Sequence, residues 1–425
     1  MVQDLALQRN KYKHLSDEEW RWFLQQVEGR ERTADKLPTF AAIEDWWYPV
    51  RLSCEQCSSE LTARYKAQIV LGTCPNGTCL DLTGGYGVDT FFLSEHFAHT
   101  DYVEQNAELC RIAEHNFALS RKHKVERQKL SIAIHNTTAE TFLSSPLHGG
   151  NEGGFHLIFL DPARRDSHGG KVFKLADCTP NVIELLPTLL DHLAPGGRIM
   201  LKLSPMIDIT QALKELQTPP KRFYDRPLDA QSGKALHPSR EEIIWDVHVV
   251  AVKNEVKEVL LLSRNIDISK YRDTEPTITA IDLSKKEQAF TFTREEELNS
   301  EALCSPLEGE LEGVFLYEPN AAILKAGAYK LVAQRYGFQK LDPNTHLYLS
   351  DRLVENFPGR VWRIQLQITN KNGGIEGGCA NVLTRNYPLT AEQLKKKLRL
   401  KDGGTAYVIG CRVDGKPTVF VAERL

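Results

Sequence analysis

No stretch of this sequence approaches eighteen consecutive apolar residues, which excludes a membrane-spanning helix. The first residues, MVQDLALQRNKYKH, are polar and lack the apolar core of a secretory leader. Cysteine is sparse, nine in 425 residues, without the spacing of a disulfide scaffold, and this fits a reducing compartment. Internal repeats and low-complexity tracts are missing, so solenoids and Gly/Ser linkers are excluded. Strong overall charge is missing too: 53 Lys/Arg against 56 Asp/Glu leave −3, and attraction to a polyanion cannot be read from the total. These absences leave a soluble globular chain, expected in the cytoplasm, with length for two to four domains.

What is present is unevenly distributed. From Ala321 to Leu425 there are 17 Lys/Arg and 8 Asp/Glu, a net of +9, so the preceding residues carry −12. A basic tail on an acidic body suits a negatively charged partner, although a merely solvated surface gives the same pattern. Four segments separate by pattern. Residues 1–66 show helix-type spacing and four tryptophans (Trp20, Trp22, Trp46, Trp47), with Ser16 as N-cap of the first long helix. Residues 67–265 alternate short apolar runs with amphipathic stretches, the pattern of a Rossmann-like α/β sheet flanked by helices. Strands are expected at TCLDLT, TDYVEQ, LSIAIHN, FHLIFLD and RIMLKLS, and helices near Asp89, Ala107, Thr138, Asn181 and Ile209. EIIWDVHVVAV and EVLLLS, joined by KNEVK, predict an antiparallel hairpin where a nicotinamide-type sheet would place a helix. Residues 266–318 are expected to form a small ferredoxin-like module, and 319–425 a compact α+β domain with Thr390 capping a helix.

The strongest motif is CLDLTGGYGVDT, residues 79–90. An apolar strand ends at Asp81, a turn carries Thr83, Gly84, Gly85 and Gly87, and a helix begins near Asp89. Such glycines bring backbone close to a ligand at the carboxyl end of a first strand. Glu104, twenty residues beyond Gly84, closes the second strand beside Gln105, where a carboxylate accepts hydrogen bonds from both ribose hydroxyls of an adenosine. Two acidic residues around the loop disfavour a pyrophosphate and favour a cofactor bearing an ammonium group, such as S-adenosylmethionine. The structural alternative is a tight turn with an N-cap at Asp89 and no ligand.

The fourth expected strand delivers Asp161-Pro162, followed by Ala163, Arg164 and Arg165. DLTGGYGVD, VEQN and LDP resemble the family that methylates guanine N2 in small-subunit ribosomal RNA. A closer resemblance is to bacterial class I methyltransferases carrying a C-terminal THUMP-like domain. That resemblance rests on EQCSSELTARYKA, DLTGGYGVDT, LDPARRD, LKLSP and FLYEPNAAILKAGAY and spans most of the chain. It implies a seven-stranded methyltransferase sheet and S-adenosylmethionine as cofactor. It places Asp81 and the glycines at the methionine end, Glu104 at the ribose and Glu140 at the adenine amino group. Many amino-group methyltransferases have Asp-Pro-Pro-aromatic at the position of Asp161; here Ala163 and Arg164 replace the second proline and the aromatic, so stacking of a base at 164 is lost. Asp161, Pro162 and Arg164 are the expected reaction-site residues. Arg165 and Lys66 are expected near the substrate, a solvated loop and a plain amphipathic helix being the alternatives.

THUMP domains bind RNA, commonly tRNA, so the resemblance implies tRNA or rRNA as substrate. Lys395, Lys396, Lys397 and Arg399 in KKKLRLK are expected phosphate contacts, as is the cluster at 121–129, though either is also an ordinary solvated face. Cys54, Cys57, Cys74 and Cys79 have zinc-like spacing, but Cys79 starts an apolar strand and no metal is expected. The expected function is methyl transfer from S-adenosylmethionine to RNA at a nucleobase nitrogen. A non-catalytic RNA-binding protein on the same fold, a methyltransferase for a small acidic molecule and, more distantly, a nicotinamide oxidoreductase are the competing readings.

Overall fold

The computed structural model describes residues 5, 9–71, 77–123, 131–145, 153–164, 174–217, 243–264, 275–284, 289–302, 304, 311–368 and 378–425, with the side chains of 121–123 and 164 left out. Arg165, Cys74 and most of the 121–129 cluster therefore lie outside the described residues. The chain forms two compact units, one of residues 1–245 and 259–274, the other of 246–258 and 275–425.

The first unit begins with helices α1 (Asp17–Thr33), α2 (Pro38–Ala41), α3 (Arg51–Gln56) and α4 (Glu60–Ile69). Ser16 caps α1 as expected, in a capping box with Glu19. These helices are no separate region. Leu37, Phe40, Trp46 and Tyr48 share one core with Phe91, Tyr102, Phe117 and Leu157 of the sheet and its helices. The Phe40 and Trp46 rings lie 4.2 Å apart, and the Trp46 indole donates to the Tyr86 hydroxyl at 2.9 Å. Burying those aromatics inside the sheet domain is what ties the segment down.

The sheet follows from the apolar runs. Strands β1 (Thr78–Asp81), β2 (His99–Glu104), β3 (Ile132–Asn136), β4 (Phe155–Leu160) and β7 (Leu193–Leu203) run parallel. Two short strands, β5 (Ala163–Arg164) and β6 (Cys178–Thr179), pair with each other. Helices α5 (Val88–Leu93), α6 (Ala107–His123), α7 (Ala139–Ser144), α8 (Val182–Asp191) and α9 (Ile209–Gln217) begin where the caps predict. Thr138 and Asn181 accept from the first turns of α7 and α8. Strands β8 (Trp245–Val252) and β9 (Glu255–Ser263) form the expected hairpin. Its two turn residues, Lys253 and Asn254, both have positive φ, the geometry that matches strand twist in a two-residue hairpin. The order β3-β2-β1-β4-β7-β9-β8 places β1 at the reversal, with β9 antiparallel to β7.

Among the described residues of 266–318, β10 (Thr277–Asp282) pairs parallel with β8, and β11 (Phe290–Thr293) pairs with β10, so the sheet counts nine strands. An isolated two-stranded hairpin has too little to bury, and the edge of β8 supplies the missing partner. Strands β12 (Phe315–Pro319), β13 (Gln339–Asp342), β14 (Thr345–Ser350), β15 (Gly359–Ile368), β16 (Asn381–Arg385), β17 (Ala406–Val413) and β18 (Lys416–Arg424) form a seven-stranded sheet in the order β13-β14-β12-β15-β18-β17-β16, around Leu316, Trp362, Ile409 and Phe420. Its first strand in sequence, β12 (Phe315–Pro319), leads into α10 (Ala321–Ala326), capped by Asn320. Near its end α11 (Ala391–Lys397), capped by Thr390 in a capping box with Gln393, precedes β17 (Ala406–Val413) and β18 (Lys416–Arg424).

Candidate functional site

The register of the first sheet puts the ends of β1, β2 and β4 side by side: Asp81 lies opposite Tyr102 and Phe159, and Glu104 opposite Asn136. At this reversal point the loops diverge and leave a crevice. A cavity of about 420 Å³ occupies it. It is lined by Gly84, Gly85 and Gly87 with Asp81 and Asp89, by Glu104, Gln105 and Glu140, and by Asp161, Ala163, Thr179 and Pro180.

The glycines are required by packing as well as by ligand approach. A Cβ on Gly84 would sit 2.1 Å from the Tyr102 ring, whose hydroxyl donates to the Gly85 carbonyl at 2.6 Å. Gly87 has φ +82°, and a Cβ there would meet Phe117 at 2.8 Å. The loop is therefore held from below by Tyr102 and leaves its upper surface to the cavity.

The carboxylates differ in their surroundings. Glu104 accepts from the backbone N–H of Gly85 at 2.9 Å and of Asn106 at 2.8 Å, one bond to each oxygen. A carboxylate has about four acceptor positions, so lone pairs remain for a diol. Asp81 is buried, accepting from the Thr83 N–H at 3.0 Å and the Thr90 hydroxyl at 2.5 Å, and burial pushes its carboxyl up to about 7. Asp89 is buried as well. Burial opposes its ionisation, but the ammonium groups of Lys66 and Lys202 outweigh that and hold its carboxyl below the usual range. Lys66 lies 3.1 Å from it, and the Ser58 hydroxyl donates to it at 2.7 Å.

Lys66 is thus fully buried and turned inward to Asp89. It does not line the cavity, which corrects its expected substrate contact; an ammonium in this core is stable only against a carboxylate. Of the two acids around the loop, Asp89 is therefore already compensated by a cation. Asp161 donates its backbone N–H to the Thr83 hydroxyl at 2.6 Å, which links the glycine loop to the β4 end. Its carboxylate accepts from the ammonium of Lys202. Ala163 and Arg164 are pinned by backbone pairing with Thr179 and Cys178, and Pro162 is buried.

Three features escaped sequence reasoning. Lys202 was the first; its signal was a lone charge inside the apolar run RIMLKLS. A second was the wall made by Ser53, Gln56, Cys57 and Ser58 of the N-terminal helices. The third, Thr179-Pro180 in the cavity wall, carried no signal in the sequence. Of the zinc-like cysteines, Cys79 is buried in β1 while Cys57 lines the cavity. No group of His, Cys, Asp or Glu among the described residues has metal-holding geometry. In the second unit Lys395 is taken by Glu392 and Asp402, whereas Lys396, Lys397 and Arg399 are exposed.

Comparison with known proteins agrees with this architecture. Residues 315–358 match a ferredoxin-like domain and residues 359–424 a THUMP domain-like family. The ferredoxin-like match overlaps the 266–318 expected from sequence only at 315–318. The crystal structure of a provisionally named methyltransferase from Porphyromonas gingivalis W83 superposes with TM-score 0.75 at 29% identity, covering 96% of this chain and 92% of that one. Two proteins of Mycobacterium tuberculosis, from strains CDC 1551 / Oshkosh and ATCC 25618 / H37Rv, are each 23% identical over 262 residues. Both are named uncharacterized S-adenosylmethionine-dependent methyltransferases, and the match spans 60% of this chain and 60% of theirs.

Proposed function

We propose, from a methyltransferase-type sheet joined to ferredoxin-like and THUMP-like domains, that this chain is an S-adenosylmethionine-dependent methyltransferase of the cytoplasm acting on tRNA or rRNA at a nucleobase nitrogen. The observation that carries the reading is one cavity at the β1 reversal that gathers a glycine loop, the Glu104 carboxylate and Asp161. Its volume suits a nucleoside-sized ligand.

In this reading Glu104 accepts from the ribose hydroxyls, Gln105 and Glu140 flank the adenine, and the loop from Thr83 to Gly87 faces the methionine portion. Asp81 and Asp89, which also line the cavity, stand with that loop at the methionine end, Asp89 already paired with Lys66. When bound, S-adenosylmethionine supplies a methyl group activated by its sulfonium. Direct displacement depends on alignment and exclusion of water rather than on a strong base. Asp161 accepts a hydrogen bond from the acceptor amine and aims its lone pair. Ala163, Thr179 and Pro180 line the same cavity as Asp161. Arg164 and Arg165 follow Asp161-Pro162 in sequence and would contact the acceptor, and the exposed Lys396, Lys397 and Arg399 serve RNA phosphates.

Calorimetry with S-adenosylhomocysteine tests the donor half; a folded protein that binds neither donor nor product is not a methyltransferase. Nucleoside mass spectrometry of RNA from cells with and without the protein tests the acceptor half. Identical modification profiles would move the acceptor from RNA to a small molecule.

A further inference from the structure

Asp161 is held at two points. Its backbone is anchored by the Thr83 hydroxyl of the glycine loop, and its carboxylate is held by Lys202 on β7, the parallel neighbour of β4. The Lys202 side chain is 12% exposed, while that of Asp161 is 39% exposed and borders the cavity. Lys202 itself does not line the cavity. A charged side chain is rare inside an apolar strand unless it is paired, and here it is paired with the residue at the reaction end.

We propose that Lys202 is the positioning residue of the acceptor site. It binds one oxygen of Asp161 and leaves the other to accept a hydrogen bond from the incoming group. The inference rests on the methyltransferase reading and deepens it in one respect: the acceptor must arrive as a hydrogen-bond donor, an N–H or O–H, at the free oxygen. An ammonium neighbour keeps Asp161 from turning to the protein for that bond. Its second contact, to Thr83, couples the carboxylate's position to the loop that faces the donor, so donor and acceptor share one reference point. Alignment of this kind acts on the chemical step: displacements of about 1 Å reduce turnover on the order of a hundredfold.

The test uses the full chain, tritiated S-adenosylmethionine and total RNA from cells lacking the protein, with S-adenosylhomocysteine calorimetry alongside. Lys202→Met keeps the stem and removes the charge; Lys202→Arg keeps the charge. For Lys202→Met the expected result is a fall in kcat of about a hundredfold, with KM for RNA and affinity for S-adenosylhomocysteine within about threefold of wild type. Lys202→Arg should recover a substantial part of the rate, which a purely structural role would not predict. Retained affinity for S-adenosylhomocysteine shows that the variant is folded. A Lys202→Met enzyme as fast as wild type overturns the proposal, and so does a loss of product affinity as steep as the loss of rate. A wild type that binds S-adenosylhomocysteine but methylates none of the RNA removes the acceptor site as read here, and the role of Lys202 with it. One that binds no S-adenosylhomocysteine removes the methyltransferase reading itself.

Discussion

Two sets of charges on this chain obey opposite rules. Around the first-unit cavity Asp89 is buried and compensated by Lys66, and Asp161 is held by Lys202. In the second unit the helix α11 and its exit present Lys396, Lys397 and Arg399 to solvent, and only Lys395 is drawn into pairs with Glu392 and Asp402. Buried pairs set geometry, and breaking one leaves an uncompensated charge. Exposed cations set long-range attraction, which salt screens. The cavity should therefore respond to substitution through stability and turnover, and the helix through ionic strength.

The largest effect should come from Asp161→Ala, which is expected to abolish methyl transfer while leaving S-adenosylhomocysteine affinity within a few fold. Steady-state assay beside calorimetry decides it: a mutant near wild-type turnover would place the orienting group elsewhere, and equal losses of rate and affinity would make Asp161 a donor ligand.

Lys66→Met comes next. It strands Asp89 in the core and should destabilise the fold by about 3 kcal/mol, read from urea denaturation. Lys395→Met should leave the urea midpoint nearly unchanged, its partners being exposed. Equal responses would break the contrast between the two regions.

The Asp81 carboxyl gives a pH signature. Its ordinary value of 3.8 is raised by burial to about 7, so between these the unfolded chain has released its proton and the folded chain has not. Its contribution to stability is therefore full below pH 4, falls as pH rises toward 7 and is flat above. Relative to Asp81→Asn, the wild type should gain about 3 kcal/mol on going from pH 8 to pH 5. Parallel curves for the two proteins would show that this carboxyl ionises freely in the fold.

Glu104→Ala should weaken S-adenosylhomocysteine binding about tenfold, roughly 1.4 kcal/mol, through loss of the ribose contact. Unchanged affinity would confine Glu104 to holding the N–H groups of Gly85 and Asn106.

The smallest change, and the one that speaks for the helix, is in salt dependence. Neutralising Lys395, Lys396, Lys397 and Arg399 should flatten the slope of log K against log salt for RNA by about 0.7 per true contact. Exposure makes Lys396, Lys397 and Arg399 the contributors and Lys395 the weak one. An unchanged slope would move RNA docking off this helix.

Much of the framework was legible because it is local. Five apolar runs became the five parallel strands, and Ser16, Thr138, Asn181 and Thr390 cap the helices they precede. The glycine loop and Glu104 could be placed by spacing alone, since a strand end and a tight turn are properties of neighbouring residues. Features that depend on distant partners were not legible. The pairing of β10 is one, because a free β8 edge is invisible in sequence. Lys66 looked like a ligand-facing cation because its partner, Asp89, is twenty-three positions away.

Sequence by itself determined the strand order's raw material, the donor loop and the presence of an acidic residue at the end of three strands, because periodicity, turn chemistry and spacing are local. Tertiary structure alone decided which of those acids remain available. Glu104 is held by the N–H groups of Gly85 and Asn106, burial and two hydrogen bonds fix Asp81, and Lys202 takes one side of Asp161. A charge's role depends on what surrounds it in three dimensions, and residues forty-one positions apart, such as Asp161 and Lys202, meet only when parallel strands are laid side by side.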